Sequence, residues 1–161
     1  MSVDLSISWS LIFFFVVTFA AATSGGYFRP GEWYRDLKKP SWNPPDFLFP
    51  IAWTLLYAMM AVAAWLVWER AGWPAAALPI GLWFVQLVFN ALWSALFFGM
   101  KRMDYALVDV VLLWLSIAAT IALFWPVSTL AGWLMVPYLA WVSFAAFLNL
   151  TILRLNPRQV S

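Results

Sequence analysis

Residues 105–125, YALVDVVLLWLSIAATIALFW, carry a single charge, Asp109. A helix of about 20 residues crosses the roughly 30 Å hydrocarbon core of a bilayer. The run does not alternate apolar and polar positions, so it reads as a membrane-spanning helix. Working outward, four more stretches read the same way: Leu5–Ser24, Phe47–Trp68, Leu78–Phe98 and Leu130–Leu153. The expected fold class is an all-α membrane protein, a five-transmembrane-helix bundle with a long loop between helices 1 and 2. Residues 1–161 form one such domain. Continuous runs, five in number, exclude a bacterial β-barrel, whose strands alternate and are even in number. Composition agrees. The chain is 65% apolar and 10% charged, against about 45–50% and about 25% in soluble domains. A globule of this size in water could not cover that excess, and disorder needs the opposite composition.

Punctuation marks the spans. Pro44, Pro45 and Pro50 sit at the start of the second, and Pro79 opens the third. Pro126 is expected to end the fourth, and Pro137 to kink the fifth. The first apolar run follows Asp4 with no Lys or Arg, so it reads as a retained helix and not a cleaved signal. Alternate connections differ sharply in cations. One side has only Arg70. The other has Arg29, Arg35, Lys38, Lys39, Lys101, Arg102, Arg154 and Arg158. By the positive-inside rule the first loop and C-terminus face the cytoplasm and the N-terminus lies outside. An integral bacterial membrane protein is expected, in the inner membrane.

The chain has no Cys and no His, which removes thiolate metal sites, His ligation of haem or zinc, and His-based triads. A net charge of +2, with cations in short clusters between spans, gives no nucleic-acid footprint. Asp109 is the one ionisable residue within a span, and such residues are costly. It is expected to pair with Lys101 or Arg102 or to cap a neighbouring helix; the alternative is a proton or ligand contact. Gln86, Asn90 and Ser94 share a helix face, and Asn149 lies deep in the fifth span. These amides read as interhelical glue, with Asn90 alternatively a polar handle for a ligand.

Of thirteen Trp, Trp9, Trp68, Trp73, Trp125 and Trp133 fit an interfacial belt. Trp53, Trp93 and Trp141 lie deeper. Tyr57 follows Trp53 by one turn, and small Ala145 follows Trp141. Such a flat-walled slot suits a planar apolar ligand, or ordinary bundle packing. The 25–46 loop, with Trp33, Tyr34 and Trp42, reads as a lid. The small-residue pairs Ala77/Gly81 and Ala91/Ala95 permit close helix contact, within the bundle or between copies.

Several of these stretches together resemble one family. The loop Trp33-Tyr34-x-x-Leu37-x-Lys39-Pro40-Ser41-Trp42-x-Pro44-Pro45 leads into Trp53-Thr54-Leu55-x-Tyr57. Gln86-Leu87-x-x-Asn90-x-x-Trp93, Phe97-Phe98-Gly99 and Ala106-Leu107-Val108-Asp109 follow. Pro137-Tyr138-Leu139-Ala140-Trp141-x-x-Phe144-Ala145-x-x-Leu148-Asn149 closes the series. From about residue 20 onward the chain resembles the TspO/translocator-protein family, the tryptophan-rich sensory proteins and peripheral benzodiazepine receptors. The resemblance implies a usually dimeric five-helix bundle that binds porphyrins, haem-like tetrapyrroles, sterols and benzodiazepine-site ligands beneath the first loop. Carried over by motif, the ligand-binding residues are Trp53, Asn90, Trp93, Trp141 and Ala145, with Tyr34 from the lid. Thr23, Gly26, Phe49 and Leu112 complete the set. The animal sterol pattern, Leu/Val then Tyr then Lys/Arg, has no counterpart in Leu148–Arg154, which contains no Tyr.

The resemblance implies a non-enzymatic binding protein for tetrapyrroles, acting in their transport, in sensing, or in regulating their biosynthesis. No cofactor is required; the porphyrin or haem-like molecule is the ligand, and lipid, sterols and a second copy are the other partners. One alternative is light-dependent porphyrin degradation, whose photochemistry the ligand would supply, since no acid–base pair is present. Another is a sterol- or lipid-binding membrane scaffold.

Overall fold

A computed structural model describes residues 8–159; Leu5–Ile7, expected to begin the first helix, lie outside the described residues. The helices are α1 (Trp9–Tyr27), α2 (Glu32–Asp36), α3 (Leu48–Ala71), α4 (Ala77–Ser94), α5 (Met103–Val127) and α6 (Thr129–Leu155). Ala95–Gly99 continues α4 as a π-helical turn, and Pro157–Gln159 form a short 3-10 turn. Five of the helices are long and apolar enough to span a membrane, and no strand occurs among the described residues.

The boundaries depart from expectation in instructive ways. Helix α1 continues past Ser24 to Tyr27. The connection that follows, residues 28–47, is not a bare loop, because α2 forms within it. Helix α3 runs to Ala71, where Gly72 at φ +63° ends it in the left-handed region that glycine tolerates. Pro50 and Pro79 sit in first turns, where a missing N–H costs nothing. Pro126 does not end α5. It lies in the last turn, and the helix closes with Ser128 N–H bonding Phe124 C=O at 2.8 Å. Helix α6 is one continuous element through Pro137.

Helix α5 packs between α4 and α6, while α3 lies against α1 and α6. Fully buried Ala61, Ala63 and Ala64 bring the neighbours of α3 close, and Trp83 and Tyr138 are the largest fully buried side chains. Large apolar residues such as Val16, Leu55, Val88 and Val108 face outward, as lipid-facing positions should. At one end of the bundle the ring of Phe28 packs so closely on Gly99 that a Cβ there would lie 2.7 Å from it. At the same end Lys38 bonds Asn156. The eight-cation set therefore gathers at one end. Exposed Trp9, Trp73, Trp125 and Trp133 lie at the other.

Only Ser128 separates α5 from α6, and its hydroxyl accepts from Ala131 N–H at 3.2 Å to cap α6. The turn is so tight that a Cβ on Gly132 would run into the ring of Trp125. Gly132→Ala is expected to cost about 1–3 kcal/mol, the usual penalty of overpacking, read as a lower melting temperature in detergent. Adding Trp125→Ala should recover most of that loss. A double variant as unstable as the sum of the singles would show that the ring is not the cause.

Candidate functional site

Two of the deep tryptophans, Trp53 and Trp141, meet on the α3–α6 side. Trp53 stacks on Tyr57 at 5.4 Å between centroids and meets Trp141 edge-on at 6.4 Å and Tyr138 at 6.1 Å. Phe49 packs edge-on against Trp141 at 5.8 Å, and Phe144 lies beyond it. One-turn spacing along α3 puts Phe49, Trp53 and Tyr57 on a single face, which α6 meets with Tyr138 and Trp141. Trp53 and Trp141 are half-buried, so this wall keeps ring surface that the bundle does not cover.

Trp93 lies one turn after Asn90 on α4 and stacks on Phe97 at 4.9 Å. Its indole N–H donates to Asn149 Oδ1 at 3.1 Å, and Asn149 Nδ2 donates to Met103 C=O at 3.0 Å. One amide thereby joins α4, α5 and α6. A second chain of polar groups backs the wall. Tyr57 O–H donates to Asn90 Oδ1 at 2.7 Å, and Asn90 Nδ2 donates to Tyr138 Oη at 2.8 Å. Tyr138 O–H passes on to Gln86 Oε1 at 2.8 Å, and Gln86 Nε2 reaches Met60 Sδ at 3.6 Å. Gln86 and Asn90 thus act as the interhelical glue their spacing implied. Asn90 is not a free handle: each amide atom is already engaged once and has one further hydrogen-bonding position to offer.

The 28–47 connection closes over the cationic end. Tyr34 and Leu37 are buried in one cluster with Phe97, Met103, Ala106, Leu148 and Ile152. Tyr34 meets Phe98 edge-on at 5.4 Å, with Lys39 Nζ 4.5 Å above its ring. Burial raises the Tyr34 pKa, Asp46 adds to the rise, and Asn43 offsets part of it. The phenol therefore stays protonated in neutral solution, and any stability it contributes is lost only as pH climbs beyond about 10. Trp42 from the same connection packs on Phe144 and Phe147 of α6.

The model of the TspO/MBR family matches residues 13–155. The chain belongs to the TspO/MBR family. It is 46% identical over 150 residues to Protein CrtK of Rhodobacter capsulatus, covering 91% of this chain and 92% of that one. It is 44% identical over 153 residues to the Tryptophan-rich sensory protein of Cereibacter sphaeroides, covering 94% and 95%. The human Translocator protein is 41% identical over 137 residues, with 82% of this chain and 81% of that protein aligned.

Not every residue matched to the TspO/MBR pattern joins the aromatic wall. Phe49, Trp53 and Trp141 touch directly, while Asn90 and Trp93 stand behind and beside them. Ala145 is half-buried one turn beyond Trp141. Tyr34 sits in the neighbouring cluster. Thr23 and Gly26 line a separate, open groove of about 560 Å³ with Ala20, Tyr27, Phe28 and Ala91. The Thr23 hydroxyl is spent on Ala20 C=O at 2.6 Å. Leu112 is 43% exposed on the outer face of α5.

Asp109 corrects an expectation. It is buried, and neither carboxyl oxygen has a hydrogen-bond partner. Arg102 pairs instead with Asp104, donating from Nε at 2.9 Å and from Nη2, and lies over the Tyr105 ring at 3.9 Å. A two-residue spacing wins because it leaves both partners at the interface, where the charges stay solvated. The reading of the sequence also missed Tyr138 as the node of the amide chain, and it missed Asn156 and Gln159. Tyr138 had a visible signal, since it precedes Trp141 by one turn on the same face.

Proposed function

We propose that this TspO/MBR protein binds a tetrapyrrole, porphyrin or haem-like, against the faces of Phe49, Trp53 and Trp141, and acts in its transport, sensing or biosynthetic regulation. The observation that carries this reading is the aromatic wall, assembled from two helices and held from behind by a hydrogen-bonded amide chain. A rigid, mostly apolar surface with few polar groups is what a large planar ligand requires. The names of the relatives, a tryptophan-rich sensory protein and a translocator protein, support a sensory or translocating role. A homodimer fits the reading, with exposed Ala77 and Gly81 offering a close-packing stripe on α4.

The absence of His and Cys makes ring stacking, not iron ligation, the main hold. Metal-free protoporphyrin should therefore bind about as tightly as haem, followed by quenching of Trp fluorescence. Trp141→Ala should weaken both roughly tenfold, the equivalent of about 1.4 kcal/mol of lost contact. Haem binding a hundredfold tighter than the free porphyrin, or a strong low-spin six-coordinate spectrum, would overturn the stacking reading.

In a bacterial inner membrane the cationic end faces the cytoplasm. With no native Cys, a single Cys in place of Ser2 should react with a membrane-impermeant thiol reagent in intact cells. One in place of Ser161 should stay protected. The reverse pattern would invert the orientation.

A further inference from the structure

The end of α6 holds the first connection by its backbone. Asn156 Oδ1 accepts from Lys38 N–H at 2.9 Å, and Asn156 Nδ2 donates to Lys38 C=O at 2.9 Å. One side chain thus satisfies both main-chain groups of a residue 118 positions away. The same Nδ2 also donates to Ile152 C=O at 2.8 Å, so Asn156 is fixed on the helix it ends. Three residues later Gln159 Oε1 accepts from Trp33 Nε1 at 3.2 Å. These bonds to the connection are exposed, where water competes for each group. The neighbouring contacts of Tyr34 and Leu37 are buried and apolar. Two exposed clasps beside an apolar seat make a latch that opens without unfolding the bundle.

We propose that Asn156 is the positioning residue of this latch and that its two bonds to Lys38 control how fast a ligand leaves the site. The second half rests on the tetrapyrrole reading given above; the first half does not. The two ends are mechanically connected. Asn149, which holds the Trp93 indole, lies two turns before Asn156 on the same helix. A ligand that moves Trp93 therefore acts on the element that carries the latch.

Trypsin reads the latch in ligand-free protein, because cleavage follows the open population when opening and closing are fast. Asn156→Ala should raise cleavage after Lys38 about tenfold, the Lys39–Pro40 bond being resistant to trypsin, while the bonds after Arg154 and Arg158 keep their wild-type rates. Asn156→Asp keeps the acceptor for Lys38 N–H and loses the donor to Lys38 C=O, so it should fall between wild type and Ala. Gln159→Ala, which removes only the Trp33 bond, should have a smaller effect. Helical circular dichroism and melting temperature confirm that each variant is folded. Protoporphyrin IX is the probe for release: Asn156→Ala should speed its dissociation by a similar factor with little change in association. Unchanged cleavage after Lys38, or an equal rise after Arg154, would overturn the latch, the latter by showing mere fraying of α6. Faster cleavage with unchanged dissociation would overturn its control of release. If the wild-type protein shows no saturable protoporphyrin binding while the cleavage pattern holds, the ligand reading fails and the latch stands.

Discussion

Asp109→Val is expected to raise the melting temperature of the protein in detergent, the opposite of what most buried substitutions do. The carboxyl group is buried at 4% exposure with both oxygens unpartnered. An unsatisfied polar group in an apolar setting costs about 1–3 kcal/mol, and the surrounding lipid offers no substitute for water. Neither of the cations that sequence proximity suggested is its partner. Arg102 is held by Asp104, and Lys101 is exposed beyond the helix start, in the left-handed region at φ 56°. Val branches at the β-carbon, one atom earlier than Asp, and puts two methyl groups in place of the carboxyl group. A gain of about 2 kcal/mol, several degrees for a chain of this size, is the expected result. A loss of more than about 1 kcal/mol, beyond ordinary repacking, would mean that Asp109 has a structural partner. A gain in stability accompanied by weaker porphyrin binding would mark the carboxyl as retained for function.

The spans were legible because an uninterrupted apolar run of membrane length is longer than the buried core helix of a small soluble domain. Their faces were not. Each long helix is apolar nearly all round, so periodicity gives no clear stripe to separate lipid-facing from bundle-facing positions. That is why Leu112, matched by motif, turns out on the outside, and why Trp83, never singled out, is fully buried. Polar residues escape this ambiguity, since an amide within lipid must find a partner inside the bundle. Gln86 and Asn90 could therefore be placed from their spacing and Asn149 from its depth in the span, although their partners could not. Tyr57, Tyr138 and Met103 come from three other helices, and only the packed structure brings them together. Asn156 was invisible for a related reason. An Asn near a helix end is ordinary local punctuation, and its role depends on a backbone far away in the chain.

The largest destabilisation should come from Tyr138→Phe, which removes one oxygen and leaves two buried groups unpaired. Tyr138 Oη accepts from Asn90 Nδ2, and its proton goes to Gln86 Oε1. Hydrogen bonds between membrane helices average about 0.6 kcal/mol and reach about 1.7. Each orphaned amide atom adds a desolvation cost of about 1–3 kcal/mol if it finds no new partner. A total of about 2–4 kcal/mol is expected, because Tyr138 is fully buried and water cannot replace it easily. Asn90→Leu should cost about as much, since Tyr57 then has no acceptor and Tyr138 loses its donor. The two effects should not add. Once Asn90 is gone, Tyr138→Phe orphans only Gln86, so a double-mutant cycle should return a coupling of about 1 kcal/mol or more. Ligand affinity should fall in both single variants even though no wall ring has been removed, because the chain behind the wall fixes Tyr57 and, through it, the stacked Trp53. Strict additivity, or full affinity in a folded Tyr138→Phe protein, would show that the amide chain and the aromatic wall are independent structures.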